Sequence, residues 1–230
     1  GHRNVAVGNS TLQANTEGIY NTSVGQYSMA DNTTGDYNTA VGRKALKSNT
    51  TADYNVAVGL EALLDNTTGS YNVGIGAYAG WETTTGSYNV SVGGNALFDN
   101  TTGHRNVSIG HEALANNTTA NDSIAVGYYA LQANTTGSNL VAIGKDALKS
   151  NTTGAQNTAV GIYALDANTT GGQNTAIGDG ALGAVTTVSE LTAVGMEALK
   201  ANTSGTNNTA VGFKASELNT TGANNTSCGY

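Results

Sequence analysis

The sequence predicts an all-β fold, a parallel β-solenoid of about 13 coils of 17 residues each. Three observations carry that expectation. A glycine closing a short apolar stretch recurs from Gly8, Gly25 and Gly42 through to Gly229, always 17 residues apart. No insertion or deletion interrupts the series, although loops of globular proteins absorb length changes at little cost. Composition is the third. Gly (31), Asn (29) and Thr (34) dominate, apolar residues are 38% and charged residues 11%, against about 45–50% and about 25% in ordinary domains. Such a chain cannot fill a broad core, and its low charge argues against disorder.

The unit reads N-[VT]-[AS]-[VI]-G-x-x-A-L-x-x-N-T-T-G-x-x, the first full copy starting at Asn4. Seventeen residues are too few for a helix-turn-helix repeat and suit one solenoid coil. The stretch Asn55 to Gly59, N-V-A-V-G, has the β-branched residues and period-two alternation of a short strand. Val58 and its equivalents Val41, Ile75, Ile109, Ile143 and Ile177 are expected to point into the coil, with Asn, Ala or Ser, and Gly on the opposite face. Ala62-Leu63 and the equivalent Ala45-Leu46, Ala113-Leu114 and Ala164-Leu165 are expected to form a second strand walling a narrow interior. N-T-T-G is turn chemistry, since Asn and Gly both accept left-handed backbone. Coils stack about 4.8 Å apart in such a fold. Asn32, Asn49 and Asn66, and again Asn134, Asn151 and Asn168, are then placed to bond amide to amide along the axis. That Asn merely suits the turn is the alternative, and the two are compatible.

The run N-T-A-V-G-x-x-A-L-x-x-N-T-T-G, at Asn38 to Thr51 and Asn157 to Gly171, resembles repeat segments of phage tail-fibre proteins. More distantly it is similar to the head domains of trimeric autotransporter adhesins, whose coils are shorter. The resemblance covers essentially the whole chain and implies a left-handed roll and a homotrimer. Positions such as Ala57, Ala125 and Ala159 are kept small, which would let one roll approach another closely. Small residues are equally explained by packing within one coil.

Net charge is −7 with scattered basic residues, which argues against a nucleic-acid partner. No stretch reaches the ~18 apolar residues of a membrane span, so no membrane insertion is expected. Cys228 is the only cysteine, which excludes a disulfide framework within the chain. His2, His104 and His111 occupy variable positions, and Asp65, Asp99, Asp166 and Asp179 occur without the regular spacing of calcium-binding coils. Neither an enzyme nor a cofactor or metal site is expected. Asn-Thr-Thr matches the glycosylation sequon in nearly every coil, which the turn explains without glycan.

Tyr20, Tyr37, Tyr54, Tyr71 and Tyr88 share one repeat position in five successive coils, after which Arg105, Asp122, Asn139 and Gln156 take it. They form a possible surface contact ladder. Its rings would either stack for stability or offer a strip for a host-surface glycan. Thr33-Thr34, Thr50-Thr51 and Thr67-Thr68 form ladders that an ice-binding solenoid would use, although adjacent Thr residues in a strand face opposite sides. Two coils break the pattern. Coil five has Gly80, Trp81 and Thr83, and coil eleven has Val185 and Val188. Neither end carries a polar cap, so residues 1–230 are expected to be a single repeat array within a longer fibre. These features give the expectation of a structural or adhesive fibre, extracellular, on a virion or cell surface. It would associate with itself as a homotrimer or longer filament and possess a host receptor or glycan as a further partner. An ice-binding solenoid is the alternative.

Overall fold

The computed structural model describes residues 2–230 and shows an all-β parallel solenoid. It comprises two compact units, Gly1–Thr119 and Ala120–Tyr230. The first holds β1 (Val5–Val7), β2 (Thr22–Val24), β3 (Thr39–Val41), β4 (Val56–Val58), β5 (Val73–Ile75), β6 (Val90–Val92) and β7 (Val107–Ile109). The second holds β8 (Ile124–Val126), β9 (Val141–Ile143), β10 (Thr158–Val160), β11 (Thr175–Ile177), β12 (Thr192–Val194), β13 (Thr209–Val211) and β14 (Thr226–Cys228). Within each unit successive strands pair in parallel and in a fixed 17-residue register, as in Thr39↔Val56 and Val141↔Thr158.

Each coil has one strand of three residues, not two. The expected second strand at Ala-Leu is a tight corner, and its geometry shows why. Ala45 and Leu46 are adjacent and both fully buried, whereas neighbours in a strand point to opposite faces. The chain turns both inward by placing Lys44 (φ 57°) and Leu46 (φ 53°) in left-handed backbone. Such conformations cost about 1–3 kcal/mol each in non-glycine residues, so the surrounding bonds must hold them. Leu46 N–H donates to Ala62 O (2.9 Å) and Ser48 N–H to Leu64 O (3.0 Å), both in the next coil. Turn backbone is therefore bonded from coil to coil as strand backbone is.

The strand faces are opposite to expectation. Ala57 is 0% exposed while Val58 is 37% exposed, and Val41, Ile75, Ile109, Ile143 and Ile177 are likewise outside. Ala125 and Ala159 are buried within their own coils, so they are not a surface for a neighbouring roll. The reason is space: Leu46, Leu63 and their equivalents enter from the corner and occupy the interior, leaving room across it only for Ala, Ser or Gly. The glycine that ends each strand is required twice over. Gly42 has φ 142°, and a Cβ there would lie 2.1 Å from Gly59 O of the next coil.

Two ranks of asparagine complete the interior. Asn49 Nδ2 donates to Asn32 Oδ1 (2.7 Å) and to Ala52 O (3.1 Å), and Asn66 Nδ2 repeats the pattern onto Asn49 Oδ1 (3.1 Å). Asn151 and Asn168 do the same onto Asn134 and Asn151, each at 2.9 Å. One amide thus closes its own turn and ties it to the preceding coil. The second rank, at the strand entrance, was not anticipated as interior. Asn38 accepts from Asn55 N–H (2.9 Å) and donates to Ala52 O (2.8 Å).

The first ladder is interrupted at Thr83 and Val185. The first break leaves Asn66 Oδ1 and Thr83 Oγ1 buried without partners and the second leaves Asn168 Oδ1 so; Asn202 Oδ1 is orphaned separately, the following Asn219 Nδ2 bonding Gly222 O. Restoring the amide by Thr83→Asn is expected to raise stability by about 1–2 kcal/mol. Asn49→Ala, which orphans groups in three coils, is expected to lower it by about 2–4 kcal/mol. Thermal or denaturant melts measure both.

Candidate functional site

The tyrosine ladder forms as the spacing predicts. Successive rings from Tyr20 to Tyr88 lie 4.9–5.1 Å apart between centroids and within 10° of parallel. Each tyrosine sits in left-handed backbone, φ 57–62°, where Asn and Asp are the favoured non-glycine residues. Asp122 and Asn139 occupy that position later in the chain with the same φ. Tyrosine is thus locally disfavoured, and stacking is the compensating interaction. The rings of Tyr37, Tyr54 and Tyr71 are sandwiched on both faces. The outer face of Tyr20 carries the Arg3 guanidinium, 5.1 Å from the centroid, with Arg3 Nη1 also donating to the phenol oxygen. What solvent meets at Tyr37, Tyr54 and Tyr71 is ring edges, while sugar stacking needs a ring face. Burial among its neighbours, with repulsion from Tyr37 and Tyr71, raises the Tyr54 phenol above its ordinary pKa.

The irregular coil five is compensated inside and out. A Cβ at Gly80 would lie 2.7 Å from Leu63 Cδ2, and one at Gly74 2.8 Å from Leu63 Cγ. Leu63 of the preceding coil therefore fills the volume that a leucine at position 80 would take. Outside, Trp81 stacks on Phe98 at 4.9 Å, with Tyr78 edge-on to Phe98 at 6.4 Å. Beside this cluster Asp65, Glu82 and Asp99 occupy one position of three successive coils, a short acidic rank hidden in the sequence because Glu82 interrupts the search for aspartate. Desolvation raises all three carboxyl pKa values, and at Glu82 repulsion from Asp99 and Asp65 adds to it.

In the second unit Asp146, Glu197 and Glu217 are instead paired with lysines. Glu197 bonds Lys200 (2.5 Å) and Lys214 (2.9 Å), which hold its carboxyl down to about 2. Among the described residues no group of three or more His, Cys, Asp or Glu is placed to hold a metal ion. The sequon asparagines Asn32 and Asn66 are buried, and their Nδ2 atoms are committed to two bonds each. Of the Thr pairs, the first hydroxyl is also committed: Thr33, Thr50 and Thr67 donate to the Thr carbonyl of the next coil at 2.9–3.0 Å.

Comparison of the chain with protein-family models, with curated proteins and with solved structures finds no match.

Tyr54→Ala, which removes two stacked pairs, is expected to cost about 1–3 kcal/mol. Tyr54→Asn should recover part of the loss because Asn tolerates the backbone conformation; melting curves of the two variants decide. Glu82→Gln is expected to stabilise the protein at pH 7 by about a few tenths of a kcal/mol, since like charges at one turn position of adjacent coils repel. A carboxyl with a raised folded pKa weakens the fold as it ionises. The advantage of Gln should therefore fade as pH falls through the raised folded pKa toward 4.5, and be gone below it, measured by melts across pH.

Proposed function

We propose that the chain is a structural and adhesive extracellular fibre, the shaft of a phage tail fibre or of a bacterial surface appendage, and not an enzyme. The observation that carries the reading is the outer face of the sheets. Every strand presents two β-branched side chains outward, as Val56 and Val58 or Thr175 and Ile177 do, except for Cys228 in β14. No charged residue stands at either position in any coil. Monomeric proteins seldom expose contiguous apolar patches above a few hundred Å², and within each unit seven strands set such side chains outward in one register. Self-association through this face, as a homotrimer or longer filament, supplies the cover. The Ala positions to which the resemblance to adhesin heads first points lie in the interior, so the contact surface is the Val and Ile ranks.

The mechanism in this reading is mechanical. Stiffness comes from coil-to-coil bonds that run through strand and turn alike, and reach is set by the number of coils. A host-surface receptor or glycan is the adhesive partner, and the fibre stands on a virion or cell surface. The ice-binding alternative is weaker because one hydroxyl of each Thr pair is spent on the backbone, leaving a single file of Thr34, Thr51 and Thr68.

Sedimentation of the wild type and of the double variant Val58→Lys, Ile75→Lys tests the reading. The wild type is expected to sediment as a trimer or larger, and the variant as a folded monomer. A monomeric wild type at micromolar concentration contradicts it.

A further inference from the structure

Coil eleven, residues 174–190, departs from the repeat outside as well as inside. Two positions that carry a side chain in every other full coil are bare here: Gly180 and Gly183. Backbone does not demand glycine at 180. Its φ is 61°, and the equivalent Tyr163 and Glu197 of the flanking coils adopt 55° and 58°. Packing does not demand it either. A Cβ at 180 would meet nothing closer than Glu197 Cγ at 3.8 Å, and one at 183 would have Gly180 O at 3.3 Å and Asp166 Oδ1 at 3.7 Å.

The space left is a cavity of about 370 Å³, at the small end of ligand sites, which run from about 300 to 1,000 Å³. Tyr163 and Asp166 line it from the preceding coil, Glu197 and Lys200 from the following one, and Asp179 lies beside the glycines. The Lys145 ammonium of the coil before sits 5.3 Å from the Tyr163 ring centroid. Toward coil eleven the next residue in the same rank is Gly180, which has no side chain to cover the ring. In contrast with the tyrosine ladder, an aromatic face is therefore available. Asp166 and Asp179 have no salt-bridge partner among the described residues and offer acceptors. Lys200 Nζ, bonded to Glu197, keeps further hydrogens to donate.

We propose that this cleft binds one ring of a neutral hexose, its apolar face against Tyr163 and its hydroxyls donating to Asp166 and Asp179 and accepting from Lys200. Glu197 is neutralised by Lys200 and Lys214, and the two carboxylates left unpaired, Asp166 and Asp179, disfavour acidic sugars and phosphates. The carboxylates are spread around the cavity and do not form a metal site. The inference deepens the adhesive half of the proposed function and rests on it for its setting.

The test is saturation-transfer NMR of the whole chain with glucose, galactose, mannose, N-acetylglucosamine and sialic acid. At least one neutral hexose is expected to bind the wild type, and sialic acid is not. The variant Gly180→Glu, Gly183→Lys copies the residues of coil twelve, so it fills the cleft with side chains the fold already accepts. It should melt as the wild type does and bind at least tenfold more weakly. Tyr163→Ala, an exposed position, gives the same loss should the filled variant not fold. No binding of any neutral hexose, or equal binding by the filled and Tyr163 variants, overturns the proposal. A wild type that self-associates but binds no sugar overturns the cleft alone and leaves the fibre reading standing.

Discussion

Every part of this fold depends on hydrogen bonds between equivalent residues of adjacent coils. With strands only three residues long, no strand pair is stable by itself. The coil holds because its turns are bonded in the same sense as its strands, through backbone bonds such as Leu46 to Ala62 and through the Asn ladder from Asn15 to Asn66. A one-residue slip would break all of these together and move Val into the interior space shaped for Ala. That is the physical reason for the unbroken 17-residue spacing. It also explains how buried residues such as Leu46 persist in left-handed backbone in coil after coil.

The interior is narrow enough to invert the usual assignment of side chains. Leu enters from the corner, Ala faces it from the strand, and two asparagine ranks line the rest of the interior with amides bonded from coil to coil except where the first rank is interrupted. The large β-branched residues are then left outside. Small residues in a repeat usually suggest an approach surface for a neighbour; here they mark the inside of the wall, and the apolar outer ranks are the surface in need of cover.

The period, the parallel solenoid, the turn at Asn-Thr-Thr-Gly and the stacking of Asn32, Asn49 and Asn66 were legible in the sequence, because each is a matter of spacing. Which face of the strand is inside was not. Alternation fixes that Ala57 and Val58 oppose one another, but their sides depend on how far Leu63 reaches from a corner whose conformation no glycine announces. The tyrosine ladder was legible in position, yet whether its ring faces or edges meet solvent depends on the stacking distance. The acidic rank at Asp65, Glu82 and Asp99 and the cleft over Gly180 and Gly183 appear only when coils are compared position by position. At coil eleven the inner substitutions Val185 and Val188 draw notice first, although the outer glycines make the space.

The most direct check on the central claim is hydrogen exchange of the Asn49 side-chain amide, followed by NMR alongside backbone amides of β3 and β4. Both Nδ2 hydrogens are donated within a buried ladder, so they should exchange slowly, at rates approaching those of the strand amides. Exchange as fast as that of a free primary amide would contradict the account, because it would mean that the coils are not joined through their asparagines.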